Sequence, residues 1–193
     1  MVVECFLKYA IVDQTESDAN SVRMPLFNPP DLCLPVPELL WDSTAEQREG
    51  IALHALMERL TNQVPQWPIQ IPGVETIASW LPCSSAIAKI IQQQAINILG
   101  NAVLEPYFNP TRFTYARNEM DISYQQQMLR LDRLVVLENE VWILDYKRQL
   151  LENEQIHYQE QMNGYREALT SIFFDKKIRA ALILADGQLI EML

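Results

Sequence analysis

The chain has 193 residues, 49% of them apolar, enough for one substantial hydrophobic core and too few for two ordinary domains. A formal net charge of −10 excludes a protein that coats nucleic acid by electrostatics alone, because such binding needs a basic face. It leaves room for an acidic metal site, whose cation offsets the negative charge. Three widely spaced cysteines, Cys5, Cys33 and Cys83, without any C-x-x-C, exclude a disulfide framework and a zinc finger and read as small buried hydrophobes.

The opening MVVECFLKYAIV carries Glu4 and Lys8 and does not read as a secretory signal, and no stretch has the length to span a bilayer. A soluble cytoplasmic protein without a membrane partner is expected. Over residues 1–40, the proline-rich FNPPDLCLPVPELLW predicts an extended segment packing on the domain that follows, 41–193. Ser43 and Glu46 then fit a capping box, and Ile51, Leu53, Leu56, Met57 and Leu60 recur at near-helical spacing, predicting a helix from Ala45 to Thr61. Gly50 inside that helix costs stability relative to alanine, so close approach of another backbone is expected there.

A loop with Pro65, Pro68, Pro72 and Gly73 leads to a second helix over Ser84 to Leu104, marked by Ile87, Ile90, Ile91, Ala95, Ile98 and Leu99. From Thr111 the pattern becomes short and extended. FTYARNEMDISY, QMLRLDRLVVLE and EVWILDYKRQ read as three antiparallel strands, with Glu138-Asn139-Glu140 as a turn. HYQEQMNGYREALTSIFF is a third helix, and IRAALILADGQLIEML closes as strand, Asp186-Gly187 turn and strand. This order predicts an α/β fold: a central mixed, largely antiparallel sheet flanked by helices. No G-x-x-x-x-G-K-[ST] loop is present, so the chain holds no ATP by that route.

Two strands that otherwise read as buried carry charge, and burying charge is costly unless it is paired or bound to a metal. Residues two apart in a strand share a face, so Asp145 and Lys147 project to one side while Trp142, Leu144 and Tyr146 project to the other. Pairing Leu129–Leu137 with Val141–Lys147 brings Asp132 toward Asp145. Two close carboxylates need compensation, and a divalent metal provides it: magnesium takes one or two carboxylates and adds substrate phosphate oxygens. Lys147 would then orient a metal-activated water or stabilise the developing anion. The same residues also have an ordinary reading, as a buried Asp145–Lys147 ion pair with Asp132 capping a turn. Glu119 in ARNEMDISY is either a third acid at the same sheet edge or a solvated one. His54, with Glu58 four residues on, is either a ligand or a structural helix histidine. Gln161 and Tyr165 lie four apart on the third helix, as packing residues also do.

As an ordered set, G-x-x-x-H on a helix, a strand glutamate, an aspartate, D-x-K in the next strand and Q-x-x-x-Y on a helix resemble the PD-(D/E)XK nuclease superfamily. Within it the set resembles the RecB/AddA-type nuclease domain at the C-terminus of UvrD-like helicases, over Gly50 to about Leu184. The resemblance implies metal ligands at His54 in GIALH, at Asp132 in LRLD, at Asp145 in ILDYK and at the backbone carbonyl of Tyr146. It implies the motif glutamate at Glu119, the catalytic lysine at Lys147, and a substrate-side motif at Gln161 and Tyr165 in QMNGY. It further implies Mg²⁺, with Mn²⁺ able to substitute, in hydrolysis of DNA phosphodiesters, commonly exonucleolytic on single-stranded ends and coupled to a helicase in recombination and double-strand break repair.

Members with an iron–sulfur cluster need four cysteines, which places this chain with the cluster-free branch. Two positions depart from the pattern: Arg130 stands where a glycine is usual, and Arg148 where Thr or Ser follows D-Y-K. The rival expectations are a catalytically silent module that binds DNA or a helicase partner, and a stand-alone endonuclease.

Overall fold

The computed structural model describes residues 44–62 and 66–192, and a compact unit begins at Thr44. The extended segment expected over residues 1–40 and the Ser43 cap lie outside the described residues. Helix α1, Ala45–Asn62, begins with a reciprocal box made one residue later than the Ser43–Glu46 spacing predicts. The Gln47 N–H donates to Thr44 Oγ1 at 3.2 Å, and the Thr44 N–H donates to Gln47 Oε1 at 2.9 Å. T-A-E-Q satisfies the same geometry as S-T-A-E, so two orphan amides are served either way.

The proline-rich linker hides a short helix, α2 (Val74–Trp80), which buries only Ile77 and so has no periodic signature. Helix α3, Ser85–Gly100, is capped by Ser84, whose Oγ accepts from the Ile87 N–H. It stops before the predicted Leu104 because Asn101 leaves helical geometry and its side chain accepts the Val103 N–H at 2.9 Å. Leu104 instead caps the short α4, Glu105–Phe108.

Strands β1 (Tyr115–Tyr124), β2 (Gln127–Val136) and β3 (Glu140–Lys147) form an antiparallel meander. Helix α5, Gln155–Thr170, then carries the chain to β4, Lys177–Leu184, which pairs parallel with β3. Strand β5, Leu189–Met192, returns antiparallel beside β4. The five strands lie in chain order, a mixed sheet flanked by helices. One face carries Val135, Trp142, Leu144 and Tyr146 against buried residues of α1 to α4. The other carries Val136, Val141, Ile143 and Leu182 against Met162, Tyr165 and Leu169 of α5. Strand β3 is therefore covered on both sides, which makes the Asp145 carboxylate, only 3% exposed, expensive unless it is compensated.

Side chains normally alternate between faces along a strand. In β1, Ala116 and Asn118 meet the α1 side, whereas Met120 and Ile122 join the α5 core, so the alternation turns over at Glu119. Glu119 has φ +47°, a left-handed conformation that non-glycine residues rarely adopt. In β2, Val135 and Arg133 face the α1 side while Leu131 joins the α5 core, so that strand turns over at Asp132. Pairing resumes in the same register beyond both, Asn118 with Arg133 and Met120 with Leu131. The two strands thus twist together at one opposed pair, and β2 ceases to pair with β3 past Arg133.

Of Gly50 in its helix and Gly187 in the Asp186-Gly187 turn, the second is the one held against another backbone. Among the described residues, a Cβ at Gly50 would meet nothing within 4 Å, so none of them makes the close backbone approach expected there. Gly187, at φ +89°, turns β4 into β5 directly against the end of α3, and a Cβ there would lie 2.6 Å from Asn97 O. Asn101 Nδ2 fastens the contact by donating to Gly187 O at 2.8 Å. Gly187→Ala is expected to lower unfolding free energy by about 1–3 kcal/mol, whereas Gly50→Ala should be neutral or stabilising by up to about 1 kcal/mol. Urea denaturation of the two variants checks the contrast, and equal effects would contradict it.

Candidate metal centre

The twist at Glu119 and Asp132 opens the end of the sheet, and α1 lays His54 across the opening. Because β2 no longer pairs with β3 there, the Tyr146 N–H has no β2 carbonyl to bond. The Asp132 side chain takes that place, Oδ2 accepting the Tyr146 N–H at 2.8 Å. The other oxygen, Oδ1, lies 3.5 Å from His54 Nδ1, and His54 Nε2 lies 3.1 Å from Tyr146 O. A carbonyl only accepts, so Nε2 carries the hydrogen and donates it. Nδ1 then faces a carboxylate oxygen, a meeting that requires a proton or a metal cation between them. His54 also sets its ring edge-on to the Tyr146 ring, with centroids 5.6 Å apart.

Glu119 completes a cluster in which one ligand atom each from His54, Glu119 and Asp132 lie within 4.8 Å of one another. Burial, then the nearby Asp145 charge, pushes the Asp132 carboxyl up to about 7, although His54, the Tyr146 N–H and Lys147 pull the other way. Asp145 is not a member of the cluster. It holds Lys147, with Oδ2 2.5 Å from Nζ, and this buried oxygen makes no well-directed hydrogen bond. Burial works to lower the Lys147 pKa, but Asp145 and Asp132 outweigh it and hold the ammonium above its ordinary range. The Tyr158 ring lies 4.9 Å from Nζ and covers it.

One imidazole nitrogen and two carboxylates form a hard-to-borderline donor set that suits Mg²⁺ or Mn²⁺. Two features of the protein fit such a cation: one ligand atom each of His54, Glu119 and Asp132 gather within 4.8 Å, and burial with the nearby Asp145 charge makes the ionised Asp132 carboxylate costly without a counter-charge.

Gln161 and Tyr165 reach the site from α5 through the backbone of β2. Gln161 Nε2 donates to Tyr165 Oη at 2.8 Å, and that hydroxyl donates to Arg130 O at 3.0 Å. The Arg130 side chain turns to Glu119, with Nε 2.6 Å from Oε2, and borders an open groove of about 320 Å³ lined also by Gly50, Ile51, His54, Ala55 and Glu58. Arg148, the other departure from the motif, pairs with Glu46 at 3.0 Å on the surface.

A polar network beside the centre has no counterpart in the sequence motifs. Arg133, 1% exposed, donates to Asn118 Oδ1 at 2.7 Å, to Thr61 Oγ1 at 3.1 Å and twice to Tyr107 O. Asn118 in turn donates to Thr61 and Asn62 at the end of α1. Asn118 and Arg133 pair across β1 and β2 and each adjoins a ligand candidate, so the network clamps α1 to both strands beside Glu119 and Asp132. The signal was an arginine next to Asp132 in an otherwise apolar run.

Compared with models of known protein families and with curated proteins, the chain matches none of either. No helix among the described residues is long and apolar enough to cross a membrane.

The raised Asp132 carboxyl predicts a pH dependence in metal-free buffer. The folded protein keeps that proton up to about pH 7, whereas an ordinary aspartate loses it near 3.8, so between these values the folded state holds the extra proton. Raising the pH then favours the unfolded chain. Stability should fall from about pH 5 to about pH 7 through this group, and Asp132→Asn should flatten the fall. Urea midpoints across that range check it, and an unchanged slope in the variant would contradict the assignment.

Proposed function

We propose that the chain is a Mg²⁺-dependent DNA nuclease of the PD-(D/E)XK kind, hydrolysing phosphodiester bonds and resembling the RecB/AddA-type domain. The observation that supports this reading is convergence. His54 from α1, Glu119 from β1, Asp132 from β2 and the Asp145–Lys147 pair from β3 gather where the sheet opens, in the order that the resemblance requires.

His54, Asp132 and Glu119, with the Tyr146 carbonyl, would hold the cation beside Asp145. A cation bound there lowers the pKa of a coordinated water and offsets charge on the phosphoryl oxygens. Lys147 is held as an ammonium between Asp145 and Tyr158, and in that state it donates hydrogen bonds and cannot take a proton. Its role would be to orient the attacking water and stabilise the charge that develops on the phosphoryl group. Gln161 and Tyr165 keep β2 in place at Arg130, next to the groove that would receive the strand.

The substrate is DNA, taken at single-stranded ends, and the partner is a helicase, in cis or in trans, in recombination and break repair. The motif resemblance supports these two assignments, and an open groove of about 320 Å³ lies beside the centre.

Lys147→Ala should retain its far-ultraviolet circular dichroism and cooperative melting while losing Mg²⁺-dependent cleavage of labelled DNA by at least about 10²-fold. Undiminished cleavage would overturn the nuclease assignment. Calorimetry with Mn²⁺ adds a second criterion: the wild-type chain should take up the metal and Asp132→Asn should not. A protein that takes up none would be the silent module.

A further inference from the structure

Arg130 is the one residue at the centre that departs from the motif and also touches it. Its Nε lies 2.6 Å from Glu119 Oε2 and 4.0 Å from Asp121 Oδ1, yet the side chain is 63% exposed along the open groove. Glu119 is also the acid whose ligand atom lies within 4.8 Å of those of His54 and Asp132. One carboxylate thus faces two claimants, a guanidinium that already holds it and a divalent cation that the cluster fits.

We infer that Arg130 is a built-in counter-cation for Glu119 that a bound divalent cation displaces, and that the released guanidinium then engages a phosphate of the strand lying in the groove. This inference rests on the metal-centre reading above. A guanidinium and a divalent cation on one carboxylate repel at short range, so each is held more weakly in the presence of the other. The Tyr165 hydroxyl fixes the Arg130 backbone through its carbonyl, so displacement is a side-chain swing from a firm base rather than a movement of β2. Among the described residues lining the groove, Ile51, 59% exposed, and Ala55 offer an apolar wall, His54, Glu58 and Glu119 are polar, and Arg130 is the one guanidinium that a phosphate could meet. Arginine is the residue best matched to phosphate, through two parallel hydrogen bonds. In a chain of net charge −10, a guanidinium freed only when the cation is bound draws the strand in only once the centre is loaded.

The experiment uses the full chain with two probes, Mn²⁺ alone by calorimetry and a fluorescein-labelled oligothymidylate by anisotropy, with and without Ca²⁺. Arg130→Ala should bind Mn²⁺ on the order of tenfold more tightly than wild type. That gain should vanish in the Glu119→Gln background, because the competition runs through Glu119. The Ca²⁺-induced rise in oligonucleotide affinity should be lost in Arg130→Ala and partly restored in Arg130→Lys. A merely structural ion pair would not tighten metal binding when broken. Equal or weaker Mn²⁺ affinity in Arg130→Ala, with wild type binding the metal, would overturn the displacement and leave the metal centre standing. Tighter Mn²⁺ binding with unchanged Ca²⁺-dependent oligonucleotide affinity would overturn the phosphate contact. Absence of Mn²⁺ uptake by wild type would overturn the metal centre and this inference together.

Discussion

The hydrogen bond from the Tyr146 N–H to Asp132 Oδ2 ties together the part of the molecule where the sheet stops being regular. Strand β3 lies in the middle of the sheet with both faces covered, and an unpaired amide there would carry the full cost of desolvation. As β2 turns over at Asp132 and leaves β3, a side-chain carboxylate replaces the missing ladder carbonyl. This bond allows two strands to separate without stranding a buried donor. It also fixes a carboxylate beside His54 and Glu119, each presented by a different segment.

Strain and charge are both concentrated at that break, and the surroundings hold them. The left-handed Glu119 persists because Asn118, one residue before it, is bound to Thr61 and Asn62 of α1 and to Arg133 of β2. Arg133 is a buried cation whose hydrogen-bond partners are neutral oxygens, with the Phe108 and Phe113 rings 4.9 and 5.9 Å away. Burial lowers its pKa, yet arginine stays charged where a lysine would give up its proton. Of the three acids at the break, Glu119 has Arg130 and Asp145 has Lys147. Asp132 has the imidazole and an amide, and burial, followed by the Asp145 charge, drives its carboxyl upward.

Much of the framework was legible in residue spacing. The apolar periodicity of α1 and of α3 up to Gly100, the three-strand meander and the Asp186-Gly187 turn all follow from local rules, and the structure has them. Short α2 was not legible, because one buried isoleucine makes no period and the prolines before it suggest only a loop. Gly50 was misleading: a helical glycine has a cost, but nothing in the local pattern distinguishes close packing from the groove that it lines among the described residues. The parallel pairing of β3 with β4 was not specified either, since the α5 crossover only permits it.

The sequence by itself determined on which element each candidate residue stands, because that follows from the alternation and periodicity around it: His54 on a helix, Glu119, Asp132, Asp145 and Lys147 on strands, Gln161 and Tyr165 on a helix. Only the tertiary structure decided who holds whom. Asp145 keeps Lys147 rather than joining the His54–Glu119–Asp132 cluster, Tyr165 reaches the backbone of Arg130, and Arg130 takes Glu119. Those choices turn on a paired loss of alternation in two strands, a property of the ladder between them and of the network clamping it. Neither strand's own pattern of polar and apolar residues records it.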